Sequence, residues 1–284
     1  MTAPSPSAGK YGAGLKFGSA PPSQPKRGTT RTIVRTEPQD EANAVGPAPT
    51  YHRSVQIDQS SDRIDDDAEV GANTHLYLNR KVPKLVVEID AVRGWEPSAG
   101  ALRLLRDRLT KIVDKPEGVQ FLPTQIIPRT EPGEGDEPFY VRTEKKYRSH
   151  HSTRAAIVLY LLYVDGDSGS VLAAAYSSSA VVVFKQTIVE SAATPLVTAQ
   201  SIENAVLVHE AGHILALVNI GYTSPRKHED PQHNHHSNNE NSVMYWAVDN
   251  VGVAGLLGGR RAPPTEFDAA DLADLRDLKD GKLS

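Results

Sequence analysis

The sequence has no cysteine. Disulfides therefore cannot support its fold, and any metal it binds must be held by nitrogen and oxygen ligands from His, Asp, Glu or Asn. A basic excess is missing too, since 31 Lys and Arg stand against 35 Asp and Glu for a formal net charge of −4. Such a chain has little with which to neutralise a phosphate backbone, so no nucleic-acid partner is expected. Long apolar runs are also absent. The stretches 155–164, 171–184 and 205–218 are short or broken by Ser, His and Glu, and none predicts a membrane span. The first residues show no basic segment leading into an apolar one, so no secretory leader is read. The expectation is a cytoplasmic protein, or a secreted one whose leader was removed upstream.

What is present is enough for one sizeable core: 284 residues, 39% of them hydrophobic. Residues 1–80 are dominated by Pro, Ser, Gly and charge, including the acidic run Asp62, Asp65, Asp66 and Asp67. A segment so poor in aliphatics reads as a disordered tail. An ordered domain is expected over 81–284. Leu85–Ile89 predicts a strand, and Glu96-Pro97-Ser98 opens a helix with Leu102, Leu105, Leu109 and Ile112 at helical spacing. Val119–Ile127 reads as a second strand, Arg129–Pro138 as a loop, and the apolar run Ala155–Val164 as a strand buried on both faces. Asp165–Gly169 is a turn, followed by a strand over Val171–Phe184 interrupted at Ser177–Ser179. Helices are predicted over Thr198–Val218 and Glu266–Leu278, the second opened by the capping pattern Thr265–Asp268.

The first of these helices carries chemistry. Between Ala205 and Val218 only His209, Glu210 and His213 are polar. A helix apolar on nearly every side is a buried one, and burying these three groups costs several kcal/mol unless something pairs with them. Residues four apart share a helix face, so both imidazoles can reach one Zn²⁺. Glu210, one position on, can then act as general base toward a metal-activated water. One catalytic zinc and a hydrolytic reaction are the expectation.

A site of this kind usually takes three protein ligands. The stretch His209–Asn219 resembles the metzincin peptidases, whose helix continues H-E-x-x-H-x-x-G-x-x-H above a methionine-containing turn. It departs from them at Ala216, in the place of the family's turn-making Gly, and at Asn219, in the place of the third His. Because Ala can continue a helix, the chain is expected to leave the site later, near Gly221. His228, Asp230, His233 and His236 follow as candidate third ligands, with Asn219 a weak one. The run His236-Ser237-Asn238-Asn239-Glu240-Asn241-Ser242-Val243-Met244 is similar to the archaemetzincin branch, with Ser in two Cys positions. That resemblance implies His236 as third ligand, Met244 as the turn residue, Asn219–His235 as an insertion, and no second, structural zinc. It also implies that Tyr245 stabilises an oxyanion, and that Gly169–Phe184 supplies an edge strand for an extended substrate. The fold it implies is α/β (α+β): a mixed twisted sheet with a backing helix and an active-site helix. The function it implies is a zinc-dependent endopeptidase acting on a peptide or protein substrate. The competing reading is a non-catalytic zinc-binding protein that uses the same cleft to hold a partner.

Overall fold

In the computed structural model, residues 62–129, 137–166, 170–192, 197–250 and 262–283 are described. The expected tail over 1–61, most of the expected loop 129–138 and the second half of the Asp165–Gly169 turn lie outside them. Continuous apolar runs form the centre of a mainly parallel sheet. Strands β1 (Leu85–Val92) and β4 (Ile157–Val164) are buried at every position and pair in parallel. The expected strand over Val119–Ile127 is divided by Leu122-Pro123-Thr124 into β2 (Val119–Phe121) and β3 (Gln125–Ile127), which pair with successive parts of β1. Proline cannot donate to a ladder, which accounts for the break.

Beyond β4 lies β6 (Ala180–Phe184), parallel to it, and then the antiparallel edge strand β5 (Ala173–Ala175). The expected edge strand is thus a hairpin, with only its first arm at the sheet's rim. Ser178 and Ser179 in its bend are buried, and both hydroxyls bond to Asp66 O at 3.0 Å.

Side chains alternate between two faces, as period-two strands require. Leu85, Val87, Ile89, Leu159, Leu161 and Val183 join one core, with Leu105 and Leu109 of α2 (Ala99–Ile112) and Val206 of α5 (Ala199–Ile214). Tyr160, Leu162, Val182 and Phe184 face the other way and pack against Phe139, Tyr140 and Tyr147 of α3 (Phe139–Tyr147). The expected mixed sheet with a backing helix, α2, and the histidine-bearing helix, α5, is present. Ser98 caps α2 through a bond from Ala101 N, and Thr198 caps α5 in a reciprocal box with Ser201. A short helix α4 (Lys185–Glu190) links β6 toward α5. The hairpin β7 (Glu229–Asp230) and β8 (His233–Ser237) precedes the last helix, α6 (Ala269–Lys279). That helix starts three residues later than expected, because Asp268 rather than Thr265 makes the cap, reciprocally with Asp271.

The expected boundary near residue 80 falls inside this folded body. Helix α1 (Thr74–Leu78) inserts Tyr77 and Leu78, 1% and 0% exposed, into the main core. The Tyr77 hydroxyl donates to Val158 O at 2.7 Å. Lys115 reaches across to donate to the carbonyls of Leu76, Asn79 and Val82. Asp66 is buried beside Arg148 and accepts the Ser152 amide. No helix among the described residues is long and apolar enough to cross a membrane.

Candidate metal centre

Helix α5 presents His209 and His213 one turn apart, on a stretch whose neighbours Val206, Leu207, Val208, Ala211 and Ile214 are all buried. It ends at Ile214, short of the expected Val218. The turn is made by Ala216, which lies in the left-handed region at φ 68°, and the expected later exit at Gly221 is corrected accordingly. A non-glycine residue pays roughly 1–2 kcal/mol there, and burial of Ala216 among the core residues holds it in place.

Asn219, also left-handed at φ 58°, points its amide elsewhere. It donates to Glu229 at 2.7 Å and accepts the Ser224 amide at 2.8 Å. The segment 219–235 then leaves and returns, pinched at its base where Val218 N donates to His235 O and His235 Nδ1 donates to Val218 O, each at 3.1 Å. The next residue, His236, is thereby delivered beside the helix histidines.

One ring nitrogen from each of His209, His213 and His236 lies within 4.8 Å of the other two. Each Nδ1 faces a backbone carbonyl: Val243 O at 2.7 Å, Leu217 O at 2.7 Å and Asn234 O at 2.9 Å respectively. A carbonyl only accepts, so each Nδ1 carries a proton, and in the neutral form of each ring the lone pair is on Nε2. The Nε2 atoms of His209 and His213 then face each other at 3.1 Å, two acceptors with no proton between them. His236 Nε2 is buried without a hydrogen-bond partner. Burial, with His236 adding to it, pushes His209 down to about 3. Burial likewise puts His213 well below the usual range, His209 and His236 contributing. Protons therefore compete poorly with a cation at neutral pH. For His236, burial lowers the pKa, but the carboxylate of Asp249 more than offsets this and the net direction is up. Three converging imidazoles held by backbone carbonyls fit a zinc ion, at about 2.0–2.1 Å from each nitrogen.

The methionine turn ties two of these histidine positions together. Val243 O holds His209, and Met244 O accepts the Ser237 amide at 2.7 Å, next to His236. Met244 is fully buried under Gly212, where a Cβ would overlap its Sδ and come within 3.0 Å of Phe267 Cε1. Glycine between the histidines is thus required by close approach of the turn.

Glu210, 2% exposed, accepts the amide of Ala175 on the edge strand at 2.7 Å through Oε2. Burial, and then Asp249, push its carboxyl up to about 8 among these protein groups alone. Asp249 is a site residue that no sequence signal had marked; its carboxylate stands within 4.8 Å of the ligand atoms of His209 and Glu210. Tyr245 is half-buried, its ring 5.6 Å from that of Trp246.

In solved structures the chain is similar to the crystal structure of an archaemetzincin from Methanopyrus kandleri at 1.5 Å resolution. The likeness has a TM-score of 0.40 at 18% identity, over 70% of this chain and 97% of that one. It is a likeness of general fold, and the chemistry of the site rests on its own geometry. No protein-family model and no curated protein matches the chain.

The other candidate ligands are engaged elsewhere. His233 stacks on Trp246 at 4.1 Å between ring centres and its Nδ1 lies 3.3 Å from Asp230. His228 is buried between Asp274, 3.0 Å from Nε2, and Asp271, 3.4 Å from Nδ1. Ser237 and Ser242 are both fully buried, and the Ser242 hydroxyl donates to Asp271 at 2.5 Å. Around them Tyr222, Ser224 and Arg226 converge on Asp274, fastening the 219–235 segment to α6.

Proposed function

We propose that this chain is a zinc-dependent peptidase in which His209, His213 and His236 hold one metal ion and Glu210 is the general base. The observation that carries this reading is the convergence of one ring nitrogen from each of three histidines within 4.8 Å, with every Nδ1 against a backbone carbonyl. Bound there, zinc would polarise a peptide carbonyl and lower the pKa of a water toward about 7.

Glu210 does the proton work. Its Oε2 is anchored by Ala175 N–H, which leaves Oε1 to take the proton of the attacking water and pass it to the departing amine. The same anchor fixes the carboxylate against the rim of β5, whose open edge offers main-chain groups to an extended peptide. Tyr245, next to the methionine turn, is the proposed oxyanion donor. Burial of His209 and Glu210 keeps bulk water from competing for these contacts.

Glu210→Gln is the deciding variant. It keeps the acceptor for Ala175, so folding and zinc content should match wild type while cleavage of a responsive peptide falls by roughly two to four orders of magnitude. Equal cleavage by wild type and Glu210→Gln would remove Glu210 from the mechanism. Zinc retained at one ion per chain in His209→Ala/His213→Ala would place the metal elsewhere. Zinc binding by wild type with no cleavage across a broad peptide library would favour a protein that only binds in this cleft.

A further inference from the structure

A carboxylate of this chain stands beside two of the three imidazoles, those of His236 and His209. Asp249 Oδ2 lies 3.8 Å from His236 Nε2, and the Asp249 carboxylate stands within 4.8 Å of the ligand atoms of both His209 and Glu210. A separation of 3.8 Å is too long for a hydrogen bond, and His236 Nε2 has none. It is close to the spacing of two atoms that share a tetrahedral zinc, about 3.3 Å for ligands at about 2.0–2.1 Å.

The position of Asp249 is set by main chain. Its carbonyl accepts Leu172 N–H at 2.8 Å, and Asn250 bridges to Val171, so the residue is fixed to the lead-in of the edge strand. Its Oδ1 accepts from Asn250 Nδ2 at 2.6 Å, leaving Oδ2 on the side of His236.

We propose that Asp249 is a fourth, displaceable protein ligand, so that the resting metal site is closed by the chain's own carboxylate. This rests on the three-histidine site proposed above. The water and the peptide carbonyl would reach the metal only as Asp249 Oδ2 is displaced, and two carboxylates, Asp249 and Glu210, would balance the charge of a divalent cation.

The test uses the full chain and two measurements that do not depend on peptide cleavage. Zinc affinity is measured by chelator competition for wild type, Asp249→Ala and Asp249→Asn, with metal-free melting curves to check folding. Asp249→Ala should bind zinc more weakly by at least about 10–100-fold. Asp249→Asn, which keeps the shape, should shift in the same direction. With cobalt(II) in place of zinc, the visible spectrum of wild type should stay constant from pH 6 to 9. That of Asp249→Ala should acquire a transition near about pH 7, as a water takes the vacated position. Unchanged zinc affinity in Asp249→Ala would overturn the proposal, as would the same pH-dependent cobalt spectrum in both proteins. If wild type binds no zinc, the three-histidine reading itself fails. If zinc is lost in His209→Ala but indifferent to Asp249→Ala, only the fourth ligand is wrong.

Discussion

Starting the chain at Val82 should unfold the domain or leave it barely stable. The cut removes α1, and with it Tyr77 and Leu78, which are fully buried in the main core. Emptying the two sites costs about 3–5 kcal/mol for the aromatic residue and about 2–5 for the leucine. The sum, roughly 5–10 kcal/mol, is comparable with the whole stability of a typical domain, about 5–15 kcal/mol. Lys115 adds to the loss. Of the three carbonyls that surround its ammonium, those of Leu76 and Asn79 leave with the cut segment and only Val82 O remains. Burial already presses this lysine down to about 8, so it has little tolerance for losing partners. The assay is thermal unfolding by circular dichroism, with gel filtration to detect aggregation, on the full chain and on the chain beginning at Val82. Leu78→Ala serves as a graded version, expected to lower Tm by roughly 4–20 °C at about 2–4 °C per kcal/mol. A chain starting at Val82 that melts with the full chain would refute the packing argument.

Gly212→Ala should lower both stability and zinc affinity, since overpacking against Met244 and Phe267 costs about 1–3 kcal/mol and outweighs a helix-propensity gain of about 1 kcal/mol. In a Met244→Ala background the same substitution should become neutral or stabilising, and a cycle measured by urea unfolding that shows equal cost in both backgrounds would contradict the contact. His228 should make stability depend on pH. Burial lowers its pKa, but Asp271 and Asp274 more than offset this and leave it raised above 6.5. The stabilisation is therefore fully present below about pH 6.5 and is lost as pH rises through the folded value. His228→Gln should flatten that part of the Tm-against-pH curve, and an unchanged curve would show that the imidazolium is not held by the two aspartates.

The core strands were legible because burial on both faces writes itself as unbroken apolar runs, as in Ile157–Val164. Helix α5 was legible for the converse reason, since three polar groups in an otherwise apolar helix demand a partner. Boundaries were less so. The helix α1 hides in a segment whose charge and proline content dominate its average, although Tyr77 and Leu78 are core residues. Helix α3 is amphipathic through Phe139, Tyr140 and Tyr147, but its remaining positions are charged or polar and give little periodicity. Among the site residues, His209, Glu210 and His213 follow from spacing on one element. Asp249 could not, because it reaches the histidines through a main-chain contact with residues 171 and 172 that no local pattern encodes.

Ala216 bears on how such a site is conserved or lost. Ala216 takes a conformation that favours glycine, at φ 68°, and the helix stops at Ile214. What the site demands there is a change of chain direction, and the residue type is only the easiest way to meet it. The chain also makes a pinched 17-residue detour over 219–235 before it brings His236 beside the two helix histidines. Chain direction and side-chain convergence at this cluster are thus set by dihedral angles and a pinched loop that letters at fixed intervals do not record.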